Sequence, residues 1–136
     1  MHFKQVVGIL CLVYGLLWSC QSDGYVRKAQ FITNGQKLYR THCQNCHGQN
    51  GEGLGTLYPA LKNQDRLQTL RKELPHLIRF GTDTHSIASD ELRQKMPPNP
   101  QLTPIEIAYV LTYIHNAFGN EGDMYSLEEV QAQLKP

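Results

Sequence analysis

No internal repeat and no low-complexity tract runs through the 136 residues, so a repeat architecture is excluded. Convincing strand patterns are missing as well, and the fold class read from the residues is all-α. Neither sign of charge is in excess: 13 Lys and Arg stand against 12 Asp and Glu, for a formal net charge of +1. A nucleic-acid partner, which would call for a basic surface, gains no support. Apolar content is modest at 40%, and part of it lies in the N-terminal stretch. The core left for the rest of the chain is thin, and a buried cofactor would complete it. The length suits a single domain.

Long hydrophobic runs are also scarce. The one candidate, Val6 to Trp18, is interrupted by Gly8, Cys11, Tyr14 and Gly15 and is too short for the roughly 20 residues that span a bilayer. With Lys4 before it, the run has the form of a secretory signal. It ends in Leu17-Trp18-Ser19-Cys20, which resembles the lipobox of bacterial lipoproteins, where cleavage precedes a cysteine that becomes lipidated. Residues 1–19 are thus expected to be a signal peptide, with Cys20 the lipidated residue. The alternative is an uncleaved anchor helix, and both readings hold the chain at a membrane outside the cytoplasm. Segment 20–30 is polar and aperiodic, as a flexible tether would be, and residues 31–136 are expected to form the folded domain.

Only four cysteines occur, and each finds a separate use. Cys11 leaves with the signal, Cys20 takes lipid, and Cys43 and Cys46 form a C-x-x-C. Charge is uneven although nearly balanced: the part from Cys20 to Lys95 is net basic and the part from Met96 onward net acidic. That asymmetry could orient docking to a partner, or it is simply a solvated surface.

Thr33 and Gln36 have capping-box spacing, with Leu38, Tyr39, His42 and Cys46 following at helical intervals, so a helix is expected from Thr33 to about Cys46. Gly48, Gly51, Gly53 and Gly55 predict a loop with special backbone angles. Leu67, Leu70, Leu74, Leu77 and Ile78 predict two short helices split at Pro75 and stopped by Gly81. Met96-Pro97-Pro98-Asn99-Pro100 predicts a stiff extended loop. Thr103-Pro104-Ile105-Glu106 opens the strongest helix, whose apolar stripe is Ile107, Val110, Leu111, Ile114 and Phe118. Ser126 and Glu129 predict a short last helix.

The chemistry centres on Cys43-Gln44-Asn45-Cys46-His47, the attachment pattern of c-type haem. Two thiols at this spacing can add to the two vinyl groups of one porphyrin, and the adjacent imidazole can bind its iron. A thioredoxin-like pair would want a βαβ context, and a zinc site would want two further ligands at close spacing. For the sixth iron ligand the mature chain offers Met96, on the proline-rich loop, and Met124, in a polar tail. Met96 is the candidate, because the stiff loop can hold a thioether at fixed distance.

From about Phe31 to Gly119 the chain resembles a class I, single-haem cytochrome c of bacterial respiratory chains. The resemblance rests on Asn34 to Tyr39, the haem motif with its glycine-rich continuation, Tyr58-Pro59-Ala60-Leu61, Met96-Pro97-Pro98, and the helix from Ala108 to Gly119. It implies a small cytochrome c fold of three to five helices round one covalently bound haem c. It further implies His47 and Met96 as iron ligands, Pro59 as the carbonyl that accepts from His47 Nδ1, and a close crossing of the first and last major helices near Gly35 and Tyr113. The chain departs from the family pattern between Gly81 and Lys95, where Asp83, His85, Asp90 and Glu91 stand, and His85 is a second candidate for the sixth ligand. His42, His76 and His115 receive no role.

The function expected on this reading is electron transfer, not catalysis, between membrane redox complexes, by a monomeric lipoprotein facing the periplasm. The alternative is a haem-based gas sensor or ligand-binding protein with a displaceable sixth ligand.

Overall fold

The computed structural model describes residues 5–7, 23–82, 95–119 and 122–135. Six helices follow one another: α1 (Asp23–His42), α2 (Gln44–His47), α3 (Gln64–Thr69), α4 (Leu74–Phe80), α5 (Pro104–Phe118) and α6 (Leu127–Gln133). Only Cys43 lies between α1 and α2. Among the described residues there is no strand, only an isolated bridge between Leu54 and Tyr58. The all-α expectation holds among the described residues. No described helix is long and apolar enough to cross a membrane.

The first helix corrects two expectations. It begins at Asp23, so most of the segment read as a flexible tether is helical, and Thr33 lies in the helix interior rather than at its cap. The Thr33 hydroxyl donates to the Ala29 carbonyl one turn earlier, at 2.9 Å. A threonine satisfied in this way is compatible with a helix interior, and the run from Arg27 to Gln30 contains good helix formers. The helix also stops at His42, short of Cys46, because the chain tightens into a separate turn at Cys43.

The other helices begin and end as the residues predict. Pro75 lies in the first turn of α4, where a missing N–H is harmless, and Gly81 caps its end. Thr103 opens α5 with a complete capping box: its hydroxyl accepts from the Glu106 N–H, and the Glu106 carboxylate accepts from the Thr103 N–H at 2.8 Å. In α6 the box is half formed. The Ser126 hydroxyl accepts from the Glu129 N–H at 3.0 Å, but the Glu129 side chain goes to Arg71 in a two-pronged ion pair of 2.8 and 2.9 Å. A bidentate guanidinium is a stronger partner than a cap N–H.

Helix α1 packs across α5. Phe31, Gly35 and Tyr39 form its buried edge. Phe31 meets Tyr109 edge-on with ring centroids 4.6 Å apart, and Tyr39 lies 5.4 Å from Tyr113 and 5.3 Å from Phe118. Between them Gly35 comes so close that a Cβ would stand 2.0 Å from the Tyr109 carbonyl oxygen and 2.7 Å from Tyr113 Cβ. The expected crossing at Gly35 and Tyr113 is therefore present. Ile107, Val110, Leu111 and Ile114 of α5 complete the core beneath it.

A second centre of packing is polar. Tyr125, fully buried, receives Arg71 over its ring at 4.0 Å, and its hydroxyl lies 2.9 Å from His115 Nε2. Its N–H donates to the Thr112 hydroxyl at 3.0 Å. Burial, and after it the Arg71 charge, lower the His115 pKa to about 4 from an ordinary 6.5, so the imidazole is neutral in the fold. Above pH 6.5 it is neutral in both folded and unfolded chains. As pH falls from about 6.5 towards 4 the unfolded chain takes up the proton first, and the fold loses stability. The loss expected over that window is on the order of 3 kcal/mol. His115→Gln is expected to remove most of this component, visible as a flatter pH dependence of urea-unfolding free energy than in the native protein.

Candidate functional site

The site grows out of the end of α1. Past His42 the chain turns at Cys43, whose carbonyl accepts from the N–H groups of Cys46, at 3.2 Å, and His47, at 2.9 Å. This single turn, α2, sets the Cys43 and Cys46 thiols and the His47 ring on one cleft. Both thiols are free. Burial first, then the neighbouring Cys46, push the Cys43 thiol up to about 12, so it is held protonated.

His47 is oriented from behind. Its Nδ1 lies 3.0 Å from the Pro59 carbonyl oxygen, and that contact assigns the N–H to Nδ1 and the lone pair to Nε2. Burial lowers the ring's pKa, partly opposed by the Pro59 hydrogen bond, which keeps the imidazole in the neutral form a metal requires. The Pro59 carbonyl is presented by the glycine-rich loop. Gly48, Gly51, Gly53 and Gly55 all have positive φ, as expected from the sequence. At Gly53 a Cβ would stand 2.5 Å from the Tyr58 carbonyl oxygen, so the loop can fold against 58–60 only with glycine there.

The cleft is mostly apolar. Leu67 and Leu70 come from α3 and its end, Leu77 and Ile78 from α4, and Leu111 and Ile114 from α5. Its wide apolar lining, drawn from three helices and two loops, suits a flat organic group rather than a bare ion. Among the described residues no group of three or more His, Cys, Asp or Glu could hold a metal ion by itself. The free thiols, neutral imidazole and apolar walls fit a haem.

Met96 lines this cleft too, from the extended loop before α5. Met124 does not line it; it packs against the core near α6, where its carbonyl is 3.5 Å from Arg71 Nη2. The structure thus gathers Cys43, Cys46, His47, Pro59 and Met96 in one place. Cys20 and His85 lie outside the described residues.

Two contributors escape the sequence reading. Tyr39, fully buried, donates from its hydroxyl to the Gly48 carbonyl at 2.6 Å and so ties α1 to the loop after His47. Thr82 bonds the backbone of Met96. Tyr39 was marked in the sequence as a position on the first helix and in the Asn34 to Tyr39 stretch, but not for this bond, and nothing marked Thr82.

The family model described as Cytochrome c matches residues 32–118, more than half of the chain. No match was found among curated proteins.

Burial pushes the Tyr39 phenol up, so it remains a donor well into the alkaline range. Tyr39→Phe keeps the ring contacts and removes only the bond to Gly48. It is expected to lower the unfolding free energy by about 1 kcal/mol, read as a lower urea midpoint at unchanged slope.

Proposed function

The chain belongs to the cytochrome c family, and from that premise we propose that it carries one electron at a time on a His/Met-ligated c-type haem between membrane respiratory complexes. Members of this family bind haem c covalently and act in electron transfer. The observation that carries the finer reading is the meeting of His47, fixed through Pro59, and Met96 on one apolar cleft that also holds both free thiols.

When bound, haem supplies an iron that alternates between ferric and ferrous states. Cys43 and Cys46 are the residues that would hold the macrocycle through thioethers. His47 offers a neutral Nε2, because Nδ1 is committed to Pro59. Met96 offers a soft sulfur, which favours the reduced metal. The leucine and isoleucine walls exclude water and lower the local dielectric, which raises the cost of the extra charge on oxidation. With His47 and Met96 both holding the iron, the protein would leave no site open for a substrate, in keeping with electron transfer rather than catalysis.

Placement and partners belong to the same proposal. It is a class I bacterial cytochrome of lipoprotein type, exported and held at the membrane by lipid on Cys20, facing the periplasm as a monomer. The support is the apolar run ending in Leu17-Trp18-Ser19-Cys20. Acylation by more than one chain would anchor it stably and restrict its search for redox complexes to two dimensions.

The ferric absorption spectrum tests the ligand set. A weak long-wavelength band from sulfur-to-iron ligation is expected in the native protein and is expected to vanish in Met96→Ala. The reduction potential of that variant should fall, within the span of roughly 0.8 V that axial ligands command. Ferrous native protein that binds carbon monoxide readily would overturn the reading in favour of a ligand-binding haem protein.

A further inference from the structure

The loop that carries Met96 has few backbone donors. Pro97, Pro98 and Pro100 have no N–H, so between 96 and 100 only Met96 and Asn99 can donate. Both donate to the end of α4. The Met96 N–H reaches Thr82 Oγ1 at 2.8 Å, and the Asn99 N–H reaches the Ile78 carbonyl at 3.0 Å. The Thr82 N–H in turn donates to the Met96 carbonyl at 3.1 Å. Both polar groups of the Met96 backbone therefore end on a single residue.

Three features stiffen this clasp. Thr82 is only 8% exposed, so water competes weakly for its hydroxyl. Its branched Cβ restricts rotation about χ1. Gly81 lets the strands of chain approach, since a Cβ there would stand 2.5 Å from the Met96 carbonyl oxygen. Two residues before Gly81, Arg79 donates to the Pro100 carbonyl at 2.9 Å and holds the far end of the loop.

We propose that Thr82 is a positioning residue for the Met96 thioether: its double backbone contact fixes Met96 against the α4 wall of the cleft and resists displacement of the sulfur from iron. The inference rests on the His/Met reading above. Release of the thioether by withdrawal of the loop moves the Met96 backbone, and that movement breaks both Thr82 contacts. Where displacement carries the loop away from α4, the clasp favours the arrangement that keeps Met96 in the cleft, so removing the hydroxyl makes displacement easier without changing the chemistry of the sulfur.

The test is an imidazole titration of the haem-loaded, full-length ferric protein, followed at the sulfur–iron band. In this ligand exchange an iron–sulfur bond is replaced by an iron–nitrogen bond and no electron is transferred. Thr82→Val, which keeps the shape and loses the hydroxyl, is expected to retain the band and to reach half-displacement at about tenfold less imidazole, the effect of one lost hydrogen bond at a protected site. Thr82→Ser, which restores the acceptor, is expected to stay within about twofold of the native value. Thr112→Val removes a buried hydroxyl that does not line the cleft and is expected to lower overall stability without moving the titration.

A Thr82→Val protein that titrates like the native one overturns the proposal, and so does an equal shift in Thr112→Val. Met96→Ala that keeps the band overturns the ligand assignment and this proposal together. Loss of the band in Met96→Ala with an unmoved Thr82→Val titration overturns this proposal alone. Amide exchange in the unsubstituted protein gives a second measurement, independent of whether the variants fold. The Met96 N–H is expected to be protected from exchange, and exchange at the rate of an unstructured peptide overturns the clasp.

Discussion

The cleft depends on the close crossing of α1 and α5 at Gly35. Helix α1 delivers the turn with Cys43, Cys46 and His47, and α5 supplies the Leu111 and Ile114 wall. The distance between these two parts is set where Gly35 lies against the Tyr109 carbonyl with no room for a side chain. Aromatic contacts on both sides of that point, Phe31 with Tyr109 and Tyr39 with Tyr113, fix the angle. A wider crossing would move the thiols and the imidazole away from the wall they face, whatever the local geometry of the turn.

Around an apolar cleft the chain uses polar bonds for placement. Pro59 orients His47, Tyr39 holds Gly48, and Thr82 holds Met96. Each bond involves at least one backbone group, so each positions a stretch of chain and not only a side chain. Apolar contacts supply most of the stability of such a core but are non-directional. Directional bonds at its rim decide where the side chains of the site stand.

The parts of this arrangement that are contiguous in sequence were readable from it. Cys43 to His47 carries its chemistry within five residues, Thr103 and Glu106 form their box within one turn, and the glycines after Gly48 announce positive φ. Pro59 was reachable only through family resemblance, because nothing local says which carbonyl will meet an imidazole. The start of α1 was misjudged, since a threonine followed by a glutamine three residues on is also compatible with a helix interior when the hydroxyl bonds back to Ala29. Arg71 with Glu129, His115 with Tyr125, and Thr82 with Met96 were hidden for a common reason: the partners are brought together by the fold rather than by spacing along the chain.

The cluster of Arg71, Tyr125 and Glu129 also has a mechanical meaning. Arg71 lies between α3 and α4, the two helices that contribute leucines to the cleft, while Glu129 and Tyr125 lie in and before α6, past the segment matched by the family model. The C-terminal helix therefore buttresses the wall from outside without touching whatever the wall encloses. Residues that look like an appendage after the last family feature thus support one side of the cavity from behind.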